Sequence, residues 1–210
     1  MTATDRPAKK PRKERKENAD KRRKQLLEAA LASIEHNGLA KTTLATVANE
    51  AGLSQGVAVF YYKSKNGLLT AALEHLYQHY EDHWQAALAG AAPDPKSRLL
   101  ALVEADFAEE VCNRAILSVW FSFWGEQNFT PQYASLTQHF DNNRVEAIER
   151  ICQEFFPENG DLKARELSEW IDTLTDGYWQ RMYLFPESCS RQTAIDGTRA
   201  FLSRMLPDHF

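Results

Sequence analysis

Four aromatic side chains crowd into five positions, Trp120, Phe121, Phe123 and Trp124, and a second group follows at Tyr178, Trp179 and Tyr183. Trp120 and Trp124 stand one helical turn apart and share a face. Such a group has two readings. It can be an ordinary buried core, the default for clustered rings. It can also be a cage whose electron-rich ring faces attract a quaternary ammonium, a cation that donates no hydrogen bond. Glu126, Asp172 or Asp176 would add counter-charge in the second reading and would simply be solvated in the first. The candidate effector pocket is therefore Trp120, Phe123, Trp124, Asp176, Tyr178 and Trp179, with core packing as the open alternative.

A different chemistry is available at Ser54-Gln55-Gly56-Val57. A helix entering the major groove reads base edges with its first side chains, while polar neighbours clamp phosphates. Gln55 offers a donor and an acceptor to adenine, Val57 and Val59 can touch thymine methyls, and Gly56 lets the backbone approach closely. Thr43, Tyr61 and Lys65 are the candidate phosphate contacts. The plain alternative is a helical hairpin with a charged surface. Charge distribution bears on the choice: the net charge of -4 divides into 14 Lys/Arg against 7 Asp/Glu in residues 1–65, and 11 against 22 in residues 66–210. That is +7 followed by -11, so the first third suits a polyanion and the rest would be repelled by one.

Catalysis has little support. No HExxH, paired Glu-x-x-His, GxSxG or glycine-rich phosphate loop is present, so no enzyme activity and no cofactor are expected. His75, His79 and His83 lie one turn apart, but no acid or thiol ligands converge with them, and no metal is expected. Cys112, Cys152 and Cys189 form neither a CxxC nor a Cys/His cluster, and are read as reduced structural residues. The basic N-terminus lacks a secretory signal, and no apolar run approaches the roughly 20 residues of a bilayer crossing, so a cytoplasmic address is expected.

The elements that must position these residues are all helical. Residues 1–17 are basic and lack large apolar side chains, which predicts a flexible arm whose charge adds sequence-independent phosphate attraction. From about residue 18 the spacing of Leu26, Leu27, Ala30, Leu31 and Ile34 predicts a helix stopped at Asn37-Gly38. Thr42-Thr43 caps a short helix ended by Gly52, Ser54 opens the next, and Ser64 opens a long one through Trp84. Further helices are expected over about 95–111, 113–124, 131–156, 161–185 and 190–206. The fold class is all-α, with about nine helices and no strands: a three-helix helix-turn-helix domain over residues 18–66 and a larger effector-binding and dimerisation domain over residues 67–210.

Thr42-Thr43 through Leu69, with Ala48, Gly52, Ser54, Gly56, Tyr61, Lys65 and Leu68 in step, resembles the DNA-binding domain of the TetR family. The resemblance is almost continuous over residues 20–70. It implies a dimeric repressor that binds operator DNA, with Phe60 and Lys63 joining Thr43, Ser54, Gln55, Gly56, Val57, Tyr61 and Lys65 at the interface. One departure stands out: most members have His where this chain has Phe60, and Phe where it has Tyr62. Phe60 cannot donate to a phosphate, which shifts weight onto Tyr61, Lys63, Lys65 and the arm. Trp120-Phe121-Ser122-Phe123-Trp124 and Leu174-Thr175-Asp176-Gly177-Tyr178-Trp179-Gln180-Arg181 resemble the C-terminal domain of BetI-type members, as does Lys65-Asn66-Gly67-Leu68. That likeness implies control of choline-to-glycine-betaine genes and a choline-like effector. The alternatives are a regulator with another aromatic-pocket ligand, or a helical ligand-binding protein that has lost DNA binding. Leu167, Ile171, Leu174, Tyr178, Met182 and Ile195, Phe201, Leu202, Met205 form apolar stripes on the last two helices. In the family these helices pair with those of a second copy, which implies a homodimer using about half of this surface, and the open alternative is that both stripes face only the intrachain core.

Overall fold

A computed structural model describes residues 12–156 and 161–210. Among these residues every regular element is a helix, and none is long and apolar enough to cross a membrane. The chain divides into two compact units, Met1–Ala72 and Leu73–Phe210.

The first unit holds α1 (Arg12–Lys41), α2 (Leu44–Glu50), α3 (Gln55–Tyr62) and the opening turns of α4 (Lys65–Gly90). Of the arm expected over residues 1–17, residues 1–11 lie outside the described part. Residues 12–17 are in α1, not in an irregular tail. Lys, Arg and Glu are good helix formers, and the Lys13–Glu17 pair at four-residue spacing, 4.0 Å, supports the extra turn. Leu26, Ala30 and Ile34 of α1 are buried with Val47 and Ala48 of α2, Ala58 of α3, and Leu68, Leu69 and Ala72 of α4. The stop expected at Asn37-Gly38 is a kink at Gly38 (φ 77°, ψ 163°), after which the helix runs on to Lys41.

Thr43 and Thr46 form a reciprocal cap on α2. The Thr43 hydroxyl accepts from the Thr46 N–H at 3.1 Å, and the Thr46 hydroxyl accepts from the Thr43 N–H at 2.8 Å. A cap of this kind contributes about 1 kcal/mol. The turn to α3 passes through Gly52 at φ 62°, and Gln25 Nε2 donates to the Ala51 carbonyl at 2.6 Å, tying the turn to α1. At the start of α4 the Ser64 hydroxyl accepts from the Gly67 N–H at 3.0 Å. A Cβ on Gly67 would stand 2.4 Å from the Tyr62 carbonyl oxygen, so this tight α3–α4 turn requires glycine there.

The second unit holds the remainder of α4, then α5 (Pro95–Asp106), α6 (Arg114–Glu126), a 3₁₀ turn (Gln127–Phe129), α7 (Pro131–Gln153), α8 (Asp161–Leu184) and α9 (Arg191–Met205). Asp94, Asn113 and Ser190 cap their helices by accepting from Ser97, Ile116 and Thr193 N–H groups. α5 ends five residues before the expected Val111, because Phe107 turns inward to 2% exposure and the chain must reverse before the Asn113 cap. α7 packs most extensively on α8, α5 lies against α7 and α9, and α6 lies against α8. All three cysteines are free and buried. Burial pushes the Cys112 and Cys152 thiols up to about 12, which keeps them protonated and inert.

Candidate functional site

Within the second unit, Tyr77 and Tyr80 of α4, Trp120 and Trp124 of α6, and Trp179 of α8 wall a cavity of about 190 Å³. Tyr77 meets Trp120 edge-on with centroids 4.5 Å apart, Tyr80 meets Trp179 at 5.5 Å, and Trp124 lies nearly parallel to Trp179 at 6.4 Å. Trp120 (1% exposed) and Trp179 (4%) belong to the core as well, so the rings form the interior and the cavity wall together. Gln127, Thr137, Asp141, Arg144, Asp172 and Asp176 complete the lining. Gln127 Nε2 donates to the Thr137 hydroxyl at 2.9 Å. Drug-sized pockets run to about 300–1,000 Å³, so this space suits a ligand of only a few heavy atoms.

The floor of the cavity is an ion-pair network. Arg144, on the buried face of α7, donates to both Asp106 carboxylate oxygens and to Asp172. Asp106 also accepts from the Tyr80 hydroxyl at 2.7 Å, and its backbone carbonyl accepts from Trp179 Nε1 at 2.9 Å. Burial works against the Arg144 charge, but Asp106, Tyr80 and Asp172 outweigh it and hold the guanidinium cationic well past its ordinary range. One guanidinium therefore faces four carboxylates, and Asp141 and Asp176 are left without one of their own. Both line the cavity and are nevertheless exposed to solvent. Partial desolvation is the main cause, with like charge from Asp172 next, of a rise in both carboxyls to about 7. Burial raises Asp172 as well, with like charge from Asp106 adding, and Arg144 opposes the rise at all three carboxyls.

In the first unit, α3 exposes Gln55, Gly56, Val59 (40%) and Phe60 (68%), while Val57 is half-buried. Ser54 occupies the N-cap without a side-chain cap bond. Lys63 follows at φ 62°, a conformation that non-glycine residues adopt at a cost of about 1 kcal/mol or more. Its ammonium lies over the Phe60 ring, 5.1 Å from the centroid, and donates to the Phe60 carbonyl at 2.6 Å. The Arg23 guanidinium covers the Tyr61 ring at 5.3 Å, and the Tyr62 hydroxyl donates to the Arg23 carbonyl at 3.1 Å. Burial pushes the Tyr62 phenol up to about 12.

The solvent-exposed short helix after the glycine turn falls within one matching family model, and most of the aromatic, acidic cavity falls within another. Residues 26–72 match the model described as bacterial regulatory proteins, tetR family. Residues 95–207 match the BetI-type transcriptional repressor, C-terminal model. The chain belongs to the BetI-type repressors of the TetR family. The HTH-type transcriptional regulator BetI of Paraburkholderia xenovorans is 34% identical over 88% of this chain and 93% of its own length. Its namesake in Yersinia pestis is 33% identical over 83% and 87%. Two solved structures share the fold: a transcriptional regulator from Pseudomonas aeruginosa PAO1 (TM-score 0.81, 22% identity, 90% of this chain and 91% of that one) and one from Saccharomonospora viridis crystallised with choline (0.77, 23%, 88% and 96%). TetR-family regulators bind operator DNA and small-molecule effectors.

Four of the six candidate pocket residues line one cavity: Trp120, Trp124, Asp176 and Trp179. Phe123 does not. It is fully buried and packs edge-on against Tyr133 at 5.3 Å, one helical step away from the cavity side of α6. Tyr178 is also elsewhere, against Phe107 and beneath α9, because it sits about 100° around α8 from Trp179. Lys65, expected on phosphate, donates instead to the Leu39 and Ala40 carbonyls at 2.7 Å each, where the end of α1 leaves acceptors without helix partners. Thr43 is half-buried and committed to its cap. Sequence reasoning missed Tyr77, Tyr80, Asp141 and Arg144 at the cavity and Arg23 beside Tyr61. Arg144 carried a signal: Phe140, Arg144, Ile148 and Ile151 form a helical stripe in which only the arginine is out of character.

Proposed function

We propose that this repressor acts as a homodimer on operator DNA, and that a small quaternary ammonium of the choline class, bound in the aromatic cavity, releases it. The observation that carries the effector reading is the cavity itself: five aromatic rings and three carboxylates around about 190 Å³. Ring faces attract a cation within about 6 Å of their centroids, worth roughly 0.5–2 kcal/mol each. The choline held by the Saccharomonospora viridis protein supports the same ligand class here. The regulated genes are then those for choline-to-glycine-betaine conversion, in keeping with the BetI relatives.

For DNA, Ser54, Gln55, Gly56 and Val57 are the base-reading end of α3, and Phe60, Tyr61, Lys63 and Arg23 lie towards the backbone. Thr43 and Lys65 hold the frame rather than the phosphates. Of the apolar stripes, Leu167, Ile171, Met182 and Leu202 are spent on the intrachain core, whereas Trp170 and Leu184 of α8, Phe185 just after it and Met205 at the end of α9 are 38–55% exposed, which suits a second copy. Two-fold pairing would set the two α3 helices on successive half-sites. An effector that lowers operator affinity must itself bind more weakly to the operator complex by the same factor.

Calorimetry of the full chain against choline, betaine aldehyde and glycine betaine tests the effector. Binding of at least one that also lifts the protein from DNA of its own upstream region in a gel shift is the expected result. Silence with all three returns the rings to core packing alone. A mass of 24.0 kDa in solution, that of one chain, would remove the dimer.

A further inference from the structure

We propose that Asp141 and Asp176 make the effector cavity a proton exchanger, so that entry of a quaternary ammonium expels about one proton to solvent and cation affinity rises with pH.

This inference rests on the effector reading above and concerns its regulation. The charge inventory around the cavity carries it. From α4 come the phenols of Tyr77 and Tyr80, both neutral, with burial the first cause of their upward shifts. From the end of α5 comes Asp106, and from α7 come Arg144 and Asp141. From α8 come Asp172 and Asp176. α6 offers only indoles here, and the 3₁₀ turn offers the Gln127 amide. Arg144 is fully engaged by Asp106 and Asp172, which leaves it 5% exposed. Its charge favours ionisation of Asp141 and Asp176 only in part, outweighed by burial and by Asp172.

Two carboxylates sharing one concave space with a third are driven to keep a proton, since ionising both places like charges together in a partly desolvated site. A rise to about 7 in each is the expression of that arrangement. A quaternary ammonium reverses the balance. It cannot accept or donate a proton, so its only electrostatic partner is an ionised carboxylate. Held against the rings, it restores the charge of the pair and the proton leaves to water. Because solvent already reaches both groups, the proton has a way out.

The test is calorimetry on the full chain with choline chloride and, separately, tetramethylammonium chloride, in two buffers of different ionisation enthalpy, with sodium chloride as the control for ionic strength. Near pH 6 the buffer dependence should report release approaching about one proton per chain. Affinity should be on the order of tenfold weaker at about pH 5.5 than at about pH 8.5, water in the cavity tempering the full effect. The Asp141→Asn/Asp176→Asn double variant should lose the proton release and flatten the pH profile. Wild-type binding with no buffer dependence and constant affinity overturns the proposal alone. Failure of both cations to bind at any pH overturns the effector reading and this inference with it. Proton release that persists in the folded double variant assigns the proton elsewhere and also overturns it.

Discussion

Replacing Arg144 by Met should lower the unfolding temperature sharply, and the reason lies in what the guanidinium leaves behind. Asp106 is 1% exposed and Arg144 5%, and the side chain donates to both Asp106 oxygens. Removing one member of a buried pair strands a charge in low dielectric, a loss of about 3–5 kcal/mol. For a chain of 210 residues each kcal/mol moves the midpoint by about 2–4 °C, so a fall of about 6–20 °C is expected. Asp106→Asn should cost less, because Arg144 keeps Asp172 and the Tyr80 hydroxyl keeps an acceptor. Asp106→Asn/Arg144→Met removes both charges and should recover much of the loss, since replacing a buried pair as a whole is often near neutral. Thermal circular dichroism on the four proteins forms a double-mutant cycle. A single Arg144→Met variant within about 2 °C of the parent, or a double variant as unstable as that single one, would refute the buried-pair argument.

Lys65→Met should lower stability by about 1.5–3 kcal/mol, the range for charged hydrogen bonds, while leaving the salt slope of operator binding unchanged. A slope reduced by about one would place Lys65 on a phosphate instead. Phe60→Ala, at a side chain 68% exposed, should change stability by no more than about 0.5 kcal/mol yet weaken operator binding in fluorescence anisotropy. Gly197→Ala should destabilise by about 1–3 kcal/mol in denaturant melts, because its Cβ would fall 1.8 Å from the Tyr178 hydroxyl and force the ring aside. The raised carboxyls give a pH trend. A group whose folded value, about 7, lies above its unfolded 3.8 binds its proton more tightly when folded, so its contribution is greatest at low pH and is lost as pH rises through about 7. Without effector the midpoint of the Asp141→Asn/Asp176→Asn variant, relative to the parent, should therefore improve between about pH 5 and pH 8. A constant difference would contradict the shifts.

Helix periodicity and caps were legible in the chain because both are local. Asn113, Ser190 and Thr43 satisfy N–H groups only three residues away, and Leu26, Ala30 and Ile34 mark a buried face whatever lies against it. The all-helical class and the short helix opened by Ser54 follow from such short-range rules. Where the rules were incomplete, a tertiary partner intervened. Phe107 ends α5 by turning inward, and Lys65 is captured by carbonyls 25 and 26 residues away.

The aromatic runs themselves showed that rings would gather, and neighbouring acids hinted at a cation. Which rings face the cavity depended on angles around α6 and α8 that bring Trp120, Trp124 and Trp179 together and turn Phe123 and Tyr178 away. The carboxylates needed more still. Asp106, Asp141, Asp172 and Asp176 belong to three helices, and only packing of α5, α7 and α8 around Arg144 makes them one electrostatic unit. Sequence by itself determined the family and the helices, since these rest on spacing along the backbone. Tertiary structure alone decided the shape and charge of the aromatic cavity, because that charge depends on which distant side chains share one concave space.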